Sequence, residues 1–252
     1  MPDLHEIAKR LDNAMFTATA TPQLAVSLTV EEAYRIQAAS MEQRYARGEK
    51  RVGIKMGFTS RAKMAQMGVD EMIWGRLTDA MTVEDGGTIA FDRYVHPRVE
   101  PEIAFILKAD LPRTVTPAGA LAAVGGVAPA LEVIDSRYEN FKFSWTDVVA
   151  DNSSSSGFVL GPWGDPNGDL SNLGMILEID GEARQIGSSA AILGNPVRSL
   201  VAAARLAHDA GEPLRAGDVV LAGGATAAEH LAPGNHVRLT VNKLGRVEFN
   251  VA

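Results

Sequence analysis

The stretch His96-Pro97-Arg98-Val99-Glu100-Pro101-Glu102-Ile103-Ala104-Phe105, continuing apolar to Leu107, decides how this chain folds. The apolar run predicts a β-strand, and successive side chains of a strand point to opposite faces. Glu100 and Glu102 therefore project from one face. Two adjacent carboxylates repel, and they are tolerated when solvated, protonated or shared with a cation. A second apolar strand carrying acids follows in Val127-Ala128-Pro129-Ala130-Leu131-Glu132-Val133-Ile134-Asp135-Ser136. Arg51-Val52-Gly53-Ile54-Lys55-Met56-Gly57-Phe58 alternates like a third, with Lys55 inside its apolar run. An ammonium there is costly unless it snorkels to water or meets carboxylates.

Outward from these strands the pattern is mixed. Leu4, Ile7, Ala8, Leu11 and Ala14 recur at helical spacing and predict an amphipathic first helix. Thr29-Val30-Glu31-Glu32 has the spacing of a capping box, opening a second helix that runs to about Tyr45 and ends at Gly48. Ser60 predicts a short helix from Arg61 to Met67. Thr116-Pro117 and Asn195-Pro196 each open a further helix with proline at its first position. Trp74 to Met81 reads as a loop or short strand, and Asp151-Asn152-Ser153-Ser154-Ser155-Ser156-Gly157 as a polar loop. Residues 158–160, 174–179 and 183–186 read as strands, the last two joined by a hairpin at Asp180-Gly181, and a final hairpin turns around Leu244-Gly245. The fold class is α+β, with much β structure. A helical N-terminal arm over residues 1–50 and one compact unit over 51–252 are the expected organisation.

Composition narrows the function. A chain of 252 residues, 46% hydrophobic and 22% charged, fits a globular protein able to bury a substantial core. Without cysteine there is no disulfide, thiolate metal site or cysteine nucleophile. A net charge of -7 argues against a nucleic-acid surface, which needs clustered Lys and Arg. Neither a signal peptide nor a run of about 18 apolar residues is seen, so a cytoplasmic location is expected, with no membrane span.

Glu100, Glu102 and Glu132 stand at the ends of apolar strands. Three oxygen donors without cysteine describe a hard divalent cation, Mg²⁺ or Mn²⁺ ahead of Zn²⁺. His96 shares the face of Glu100 in strict alternation, but Pro97 disturbs the strand; a structural role is favoured over ligation. An acid-rich pocket gives Lys55 a partner, with Asp79 to orient it. The Ser loop and the turn Gly223-Gly224-Ala225-Thr226 would present hydroxyls and N–H groups to a carboxylate.

Five segments, Lys55-Met56-Gly57-Phe58-Thr59-Ser60, Val99 to Phe105, Leu131 to Arg137, Ala150 to Ser155 and Gly223 to Thr226, resemble in order the fumarylacetoacetate hydrolase superfamily. The closer likeness is to its hydratase/decarboxylase branch from meta-cleavage breakdown of aromatic compounds. Lys63 to Val69 and Ile134 to Phe143 look like the decarboxylases of that branch rather than the hydratases. The resemblance covers about residues 30 to 250. It implies a mainly β fold of that family and a metal-dependent carboxy-lyase with Glu100, Glu102 and Glu132 as Mg²⁺ or Mn²⁺ ligands. It places Lys55 and Asp79 in the active site, with Ser155 near substrate; Thr226 is a further expected substrate contact. The implied reaction converts 2-oxo-3-hexenedioate, a small dicarboxylic 2-oxo acid, to 2-hydroxypenta-2,4-dienoate. The alternative is the sister activity, hydration of that dienoate. A homo-oligomer and a complex with the sister hydratase are expected partners. Pro101 departs from the alanine common in the family and is expected at a strand edge. The surroundings of the departing carboxylate are expected to be apolar.

Overall fold

The computed structural model describes residues 3–60, 64–65 and 71–252, so most of the helix expected over Arg61 to Met67 and most of the Lys63 to Val69 stretch lie outside the described residues. In chain order the strands are β1 (Arg51–Gly57), β2 (Ile73–Thr78), β3 (Thr82–Val83), β4 (Thr88–Ile89), β5 (Arg98–Leu107), β6 (Val124–Ile134) and β7 (Ser155–Leu160). They continue with β8 (Gly174–Ile179), β9 (Glu182–Ser188), β10 (Val219–Leu221), β11 (Glu229–His230), β12 (His236–Val241) and β13 (Gly245–Val251). Among the described residues one sheet runs β2-β1-β10-β5-β6-β7-β3, with β11 also on β5, and a second runs β4-β13-β12-β8-β9.

Register settles which residues share a face, because directly paired residues project to the same side. Glu100 pairs with Glu132 and Glu102 with Ala130 across β5 and β6. Lys55 and Ala104 both pair with Leu221 on β10. The acids, Lys55 and the small apolar cluster of Ala104, Ala130, Phe158 and Leu221 therefore occupy one face. The opposite face carries Val99, Ile103, Phe105, Leu131 and Val133, packed into a large core with Leu177, Val237, Leu239 and Phe249 of the second sheet. Burial of that second face against a sheet fixes the register of β5. A one-residue slip would send the glutamates into the hydrophobic layer.

Pro101 lies in this register inside the sheet, paired with Leu131, and not at an edge. Its tolerance has a local cause. β10 ends at Leu221 and β11 begins at Glu229, so β5 has no strand partner on that side opposite Pro101, and the chain departs there through Gly223-Gly224. The missing N–H costs no ladder bond on that side. The Pro101 carbonyl is used: it accepts from Ala225 N–H at 2.9 Å.

Helices α1 (Leu4–Phe16) and α2 (Val30–Ala46) follow their sequence signals closely. Asp3 caps α1, and Thr29 with Glu32 forms the expected capping box on α2. Ala8 and Leu11 of α1 with Ala33 and Ile36 of α2 pack against Ile73, Tyr138 and α4 (Trp145–Ala150), forming a second core beside the sheet. Gln37 reaches from α2 to the carbonyls of Trp74 and Val149, at 3.1 and 2.7 Å. The short helix α3 (Pro117–Ala122) and α5 (Pro196–Asp209) both carry the predicted proline at the start. Asp180 and Gly181 adopt φ of 56° and 80°, as a tight two-residue hairpin requires. Trp74 to Thr78, expected as loop or short strand, is a fully buried strand.

Candidate active site

Glu100, Glu102 and Glu132 each bring a carboxylate oxygen to within 4.8 Å of the other two. Glu102 and Glu132 are fully buried. Gly223 N–H donates to Glu102 Oε2 at 2.6 Å, but Glu102 Oε1 and Glu132 Oε1 have no hydrogen-bond partner among the described residues. Buried carboxylate oxygens without a donor are costly and rare in native proteins. Burial and the neighbouring charge of Glu132 push the Glu102 carboxyl well above its ordinary pKa. Burial also raises Glu132, against the opposing pull of Lys55. The donor set is wholly carboxylate oxygen, and a hard divalent cation, Mg²⁺ or Mn²⁺, satisfies both the orphaned atoms and the repulsion.

Lys55 resolves its two sequence-level alternatives in favour of the carboxylates. Its Nζ lies 3.0 Å from Glu132 Oε2 and donates to the Ser153 carbonyl at 3.1 Å. Burial acts to strip the proton from this ammonium. Glu132, Glu100 and Glu102 outweigh it, and the Lys55 pKa stands above the ordinary value.

Of these groups Lys55 and Glu100 line a cavity of about 260 Å³. Its apolar wall includes Phe58, Ile73, Ile134, Phe141, Phe143 and Val148, with Ser153, Ser154 and Gly224 near the charged end. Phe141 and Phe143 belong to the Ile134 to Phe143 stretch. Arg137 ties that stretch to the Ser loop, its Nε donating to Asp151 Oδ1 and its Nη1 to Ser156 Oγ, each at 2.6 Å. His96 stays out of the acid cluster, its Nδ1 3.0 Å from the Ser136 carbonyl and its ring edge-on to Phe141.

Three expected contacts, Ser155, Thr226 and Asp79, lie outside the cavity lining. Ser155 is the first residue of β7, and its hydroxyl donates to the Met81 sulfur at 3.8 Å, away from the cavity. Ser153 and Ser154 line the cavity instead. The cause is an unusual backbone: Asn152, Ser153 and Ser154 take φ of 47°, 51° and 61°, three left-handed residues in succession. Such strain persists only where surrounding contacts enforce it. Here Asn152 pairs with the N–H and carbonyl of Arg76 at 2.8 and 2.9 Å, and Ser153 Oγ donates to the Trp74 carbonyl at 2.8 Å. Thr226 lies beside Gly187 of the second sheet and donates to the Ala227 carbonyl at 2.9 Å; Gly224 and Ala228 face the cavity in its place. Asp79 is exposed beyond the end of β2, accepting from the Lys50 and Ala80 N–H groups at 2.9 Å each. The residue across from Lys55 on β2 is Gly75, four positions earlier, so Asp79 fastens a strand junction and does not line the cavity.

Arg98 is a cavity residue that sequence reasoning passed over, and it corrects the expectation of wholly apolar surroundings. The available signal was its place two residues before Glu100, on the same strand face.

The glycine turn is shaped to the acids. Gly223 has φ of 106°, and a Cβ there would meet Thr59 Oγ1 at 2.1 Å. A Cβ on Gly224 would lie 2.8 Å from the Glu100 carboxyl carbon, with no backbone strain of its own. Gly224→Ala is therefore expected to displace Glu100 and weaken Mg²⁺ binding about tenfold with the fold intact. Calorimetric titration checks this; unchanged affinity would remove Glu100 from the ligand set.

A family model described as fumarylacetoacetate (FAA) hydrolase C-terminal matches residues 47–252. The chain is 58% identical over 249 residues to a 4-oxalocrotonate decarboxylase from Pseudomonas sp, covering 98% of this chain and 97% of that protein. It is 39% identical over 227 residues to a 2-keto-4-pentenoate hydratase from Paraburkholderia xenovorans (strain LB400), covering 88% and 84%. A solved 4-oxalocrotonate decarboxylase from Pseudomonas putida G7, complexed with magnesium and adipate, superposes with a TM-score of 0.94 at 38% identity, covering 99% of this chain and 97% of that one.

Proposed function

The chain belongs to the fumarylacetoacetate hydrolase family, and from that premise we propose that it decarboxylates 2-oxo-3-hexenedioate to 2-hydroxypenta-2,4-dienoate. The observation that carries this reading is the acid triad, two of its members fully buried, with Lys55 against Glu132 and with Glu100 and Lys55 lining a largely apolar cavity. The greater identity to a decarboxylase than to a hydratase supports the same choice.

The substrate is a vinylogous β-keto acid. As the C5–C6 bond breaks, CO₂ leaves, and the electron pair passes through the C3–C4 double bond to the 2-oxo oxygen. A proton at that oxygen completes the dienol. Mg²⁺ or Mn²⁺ held by Glu100, Glu102 and Glu132 supplies Lewis acidity toward a 2-oxo acid. Lys55 contributes a fixed positive charge beside the developing negative one. Phe58, Ile134, Phe141 and Phe143 supply apolar lining to the cavity that Lys55 and Glu100 share with Arg98.

A cytoplasmic catabolic enzyme fits this reaction, with residues 1–50 as an arm on the catalytic unit. No helix among the described residues is long and apolar enough to cross a membrane. The reading extends to a homo-oligomer and to association with the sister hydratase that consumes the dienol.

The test follows CO₂ release and dienol absorbance together in purified protein given Mg²⁺ and 2-oxo-3-hexenedioate. Equal yields of CO₂ and dienol are expected. Water addition to the dienol without CO₂ from the dicarboxylate would assign the hydratase activity instead.

A further inference from the structure

The geometry points to Arg98 as the residue that recognises the distal carboxylate of the substrate, making the site selective for dicarboxylic over monocarboxylic 2-oxo acids. This rests on the 2-oxo acid reading of the cavity. Arg98, Glu100 and Glu102 project from the same face of β5, and Arg98 pairs with the cavity residue Ile134 across β6. At about 3.3 Å per residue, Arg98 and Glu100 are separated by roughly 6.6 Å along the strand. The two carboxyl carbons of an extended six-carbon diacid are five bonds apart, on the order of 6 Å for C–C bonds of about 1.5 Å. An extended six-carbon diacid is therefore comparable in length to the spacing of these two residues, and both line the one cavity that would hold it.

The guanidinium is prepared for such a ligand. Its Cζ sits 3.7 Å from the centroid of the Phe141 ring, and no carboxylate lies within ion-pair distance among the described residues. Arg98 Nε is buried without a hydrogen-bond partner. Stacking on an aromatic face leaves the guanidinium edges available to a carboxylate in a two-pronged contact. Phe141 is itself held by Phe143, ring centroids 5.0 Å apart, and by the edge-on His96 ring. It takes a left-handed φ of 56°, a conformation uncommon for a bulky residue. The Ile134 to Phe143 stretch thus builds the platform on which Arg98 rests.

The carboxylate that Arg98 would hold is the one that departs. An interaction made equally with the substrate and with the transition state, and given up only once CO₂ has formed, lowers KM without raising kcat. Arg98 is thus a specificity determinant, and it gives up its ligand when the dicarboxylate becomes a monocarboxylate.

The test titrates Mg²⁺-loaded wild type, Arg98→Gln and Arg98→Lys with 2-oxoadipate and with 2-oxopentanoate, which lacks only the distal carboxylate. Wild type is expected to bind 2-oxoadipate at least tenfold more tightly. In Arg98→Gln that preference should fall to about one, with 2-oxopentanoate binding within roughly twofold of wild type, and Arg98→Lys should restore part of it. Steady-state turnover should show KM raised at least tenfold and kcat within about threefold. A preference that survives in Arg98→Gln, or equal loss of both ligands, overturns the assignment. Failure of wild type to bind either acid overturns the 2-oxo acid reading itself.

Discussion

Glu102→Gln is expected to lower Mg²⁺ affinity at least roughly 10²-fold while making the metal-free protein more stable at neutral pH. Changes to groups that merely support metal ligands already cost 10- to 100-fold, and this one removes a ligand's charge. The second half has the opposite sign because the triad is at odds with itself without a cation. The folded Glu102 carboxyl is held well above its ordinary value of 4.5 by burial and by Glu132. Below pH 4.5 folded and unfolded chains both keep the proton, so wild type and variant are alike. As pH rises through the window up to the raised folded pKa, the unfolded chain releases a proton that the folded chain retains. Stability then falls by about 1.4 kcal/mol per pH unit for one such group. Glutamine carries no proton to lose, can still accept from Gly223 N–H, and offers an N–H₂ to a Glu132 oxygen. Its advantage over wild type should be absent near pH 4 and grow toward pH 7. Saturating Mg²⁺ should reverse the order, since a ligand at 100 times its Kd stabilises by about 2.7 kcal/mol. Urea unfolding at several pH values, with EDTA and with Mg²⁺, gives all four comparisons. Equal Mg²⁺ affinity in the two proteins would remove Glu102 from the ligand set.

The reason this triad is legible in the sequence is that strand alternation is a strong rule. An apolar run to one side of Glu100 and Glu102 can only bury one face, and the acids must share the other. Glu132 enters by the same logic once β5 and β6 pair. Lys55 is legible as an anomaly, a charge inside an apolar strand that needs partners. The failures have a different physical origin. Ser153, Ser154, Ser155 and Ser156 have the same side chain, so composition cannot say which hydroxyl faces the cavity. That depends on three left-handed residues enforced by Arg76 and Trp74, about 76 to 79 positions away. Asp79 illustrates the same limit. A carboxylate close in sequence to a site strand is here carried to the far end of that strand and used on backbone N–H groups. Thr226 follows a turn whose first two glycines serve the glutamates, and by its own position the chain has reached the second sheet. Arg98 acquires its meaning only through Phe141, 43 residues later, and no local pattern announces that contact.

Lys55→Met should reduce kcat by at least roughly 10²-fold, the usual cost of removing a preorganised charge at a reacting centre. Methionine is apolar, flexible and of similar length, so it can occupy the buried site without burying a new polar group of its own. Two consequences separate a catalytic role from a structural one. First, Lys55 is one of the groups that hold Glu102 and Glu132 toward ionisation, so its loss lets both keep protons to higher pH. Mg²⁺ must then compete with protons, and apparent affinity at pH 6 should fall. At pH 8.5 proton competition is weaker and the site has lost a repelling positive charge, so Mg²⁺ affinity should recover toward that of wild type. Second, 2-oxopentanoate binding at that pH should be retained within about tenfold, because the lost hydrogen bond from Lys55 to the Ser153 carbonyl is one of several that fix the Ser loop. Slow turnover with metal and ligand both bound places Lys55 in the chemical step. Turnover within a factor of about three of wild type would exclude it from that step, and collapse of Mg²⁺ affinity at pH 8.5 would make it a scaffold for the triad instead.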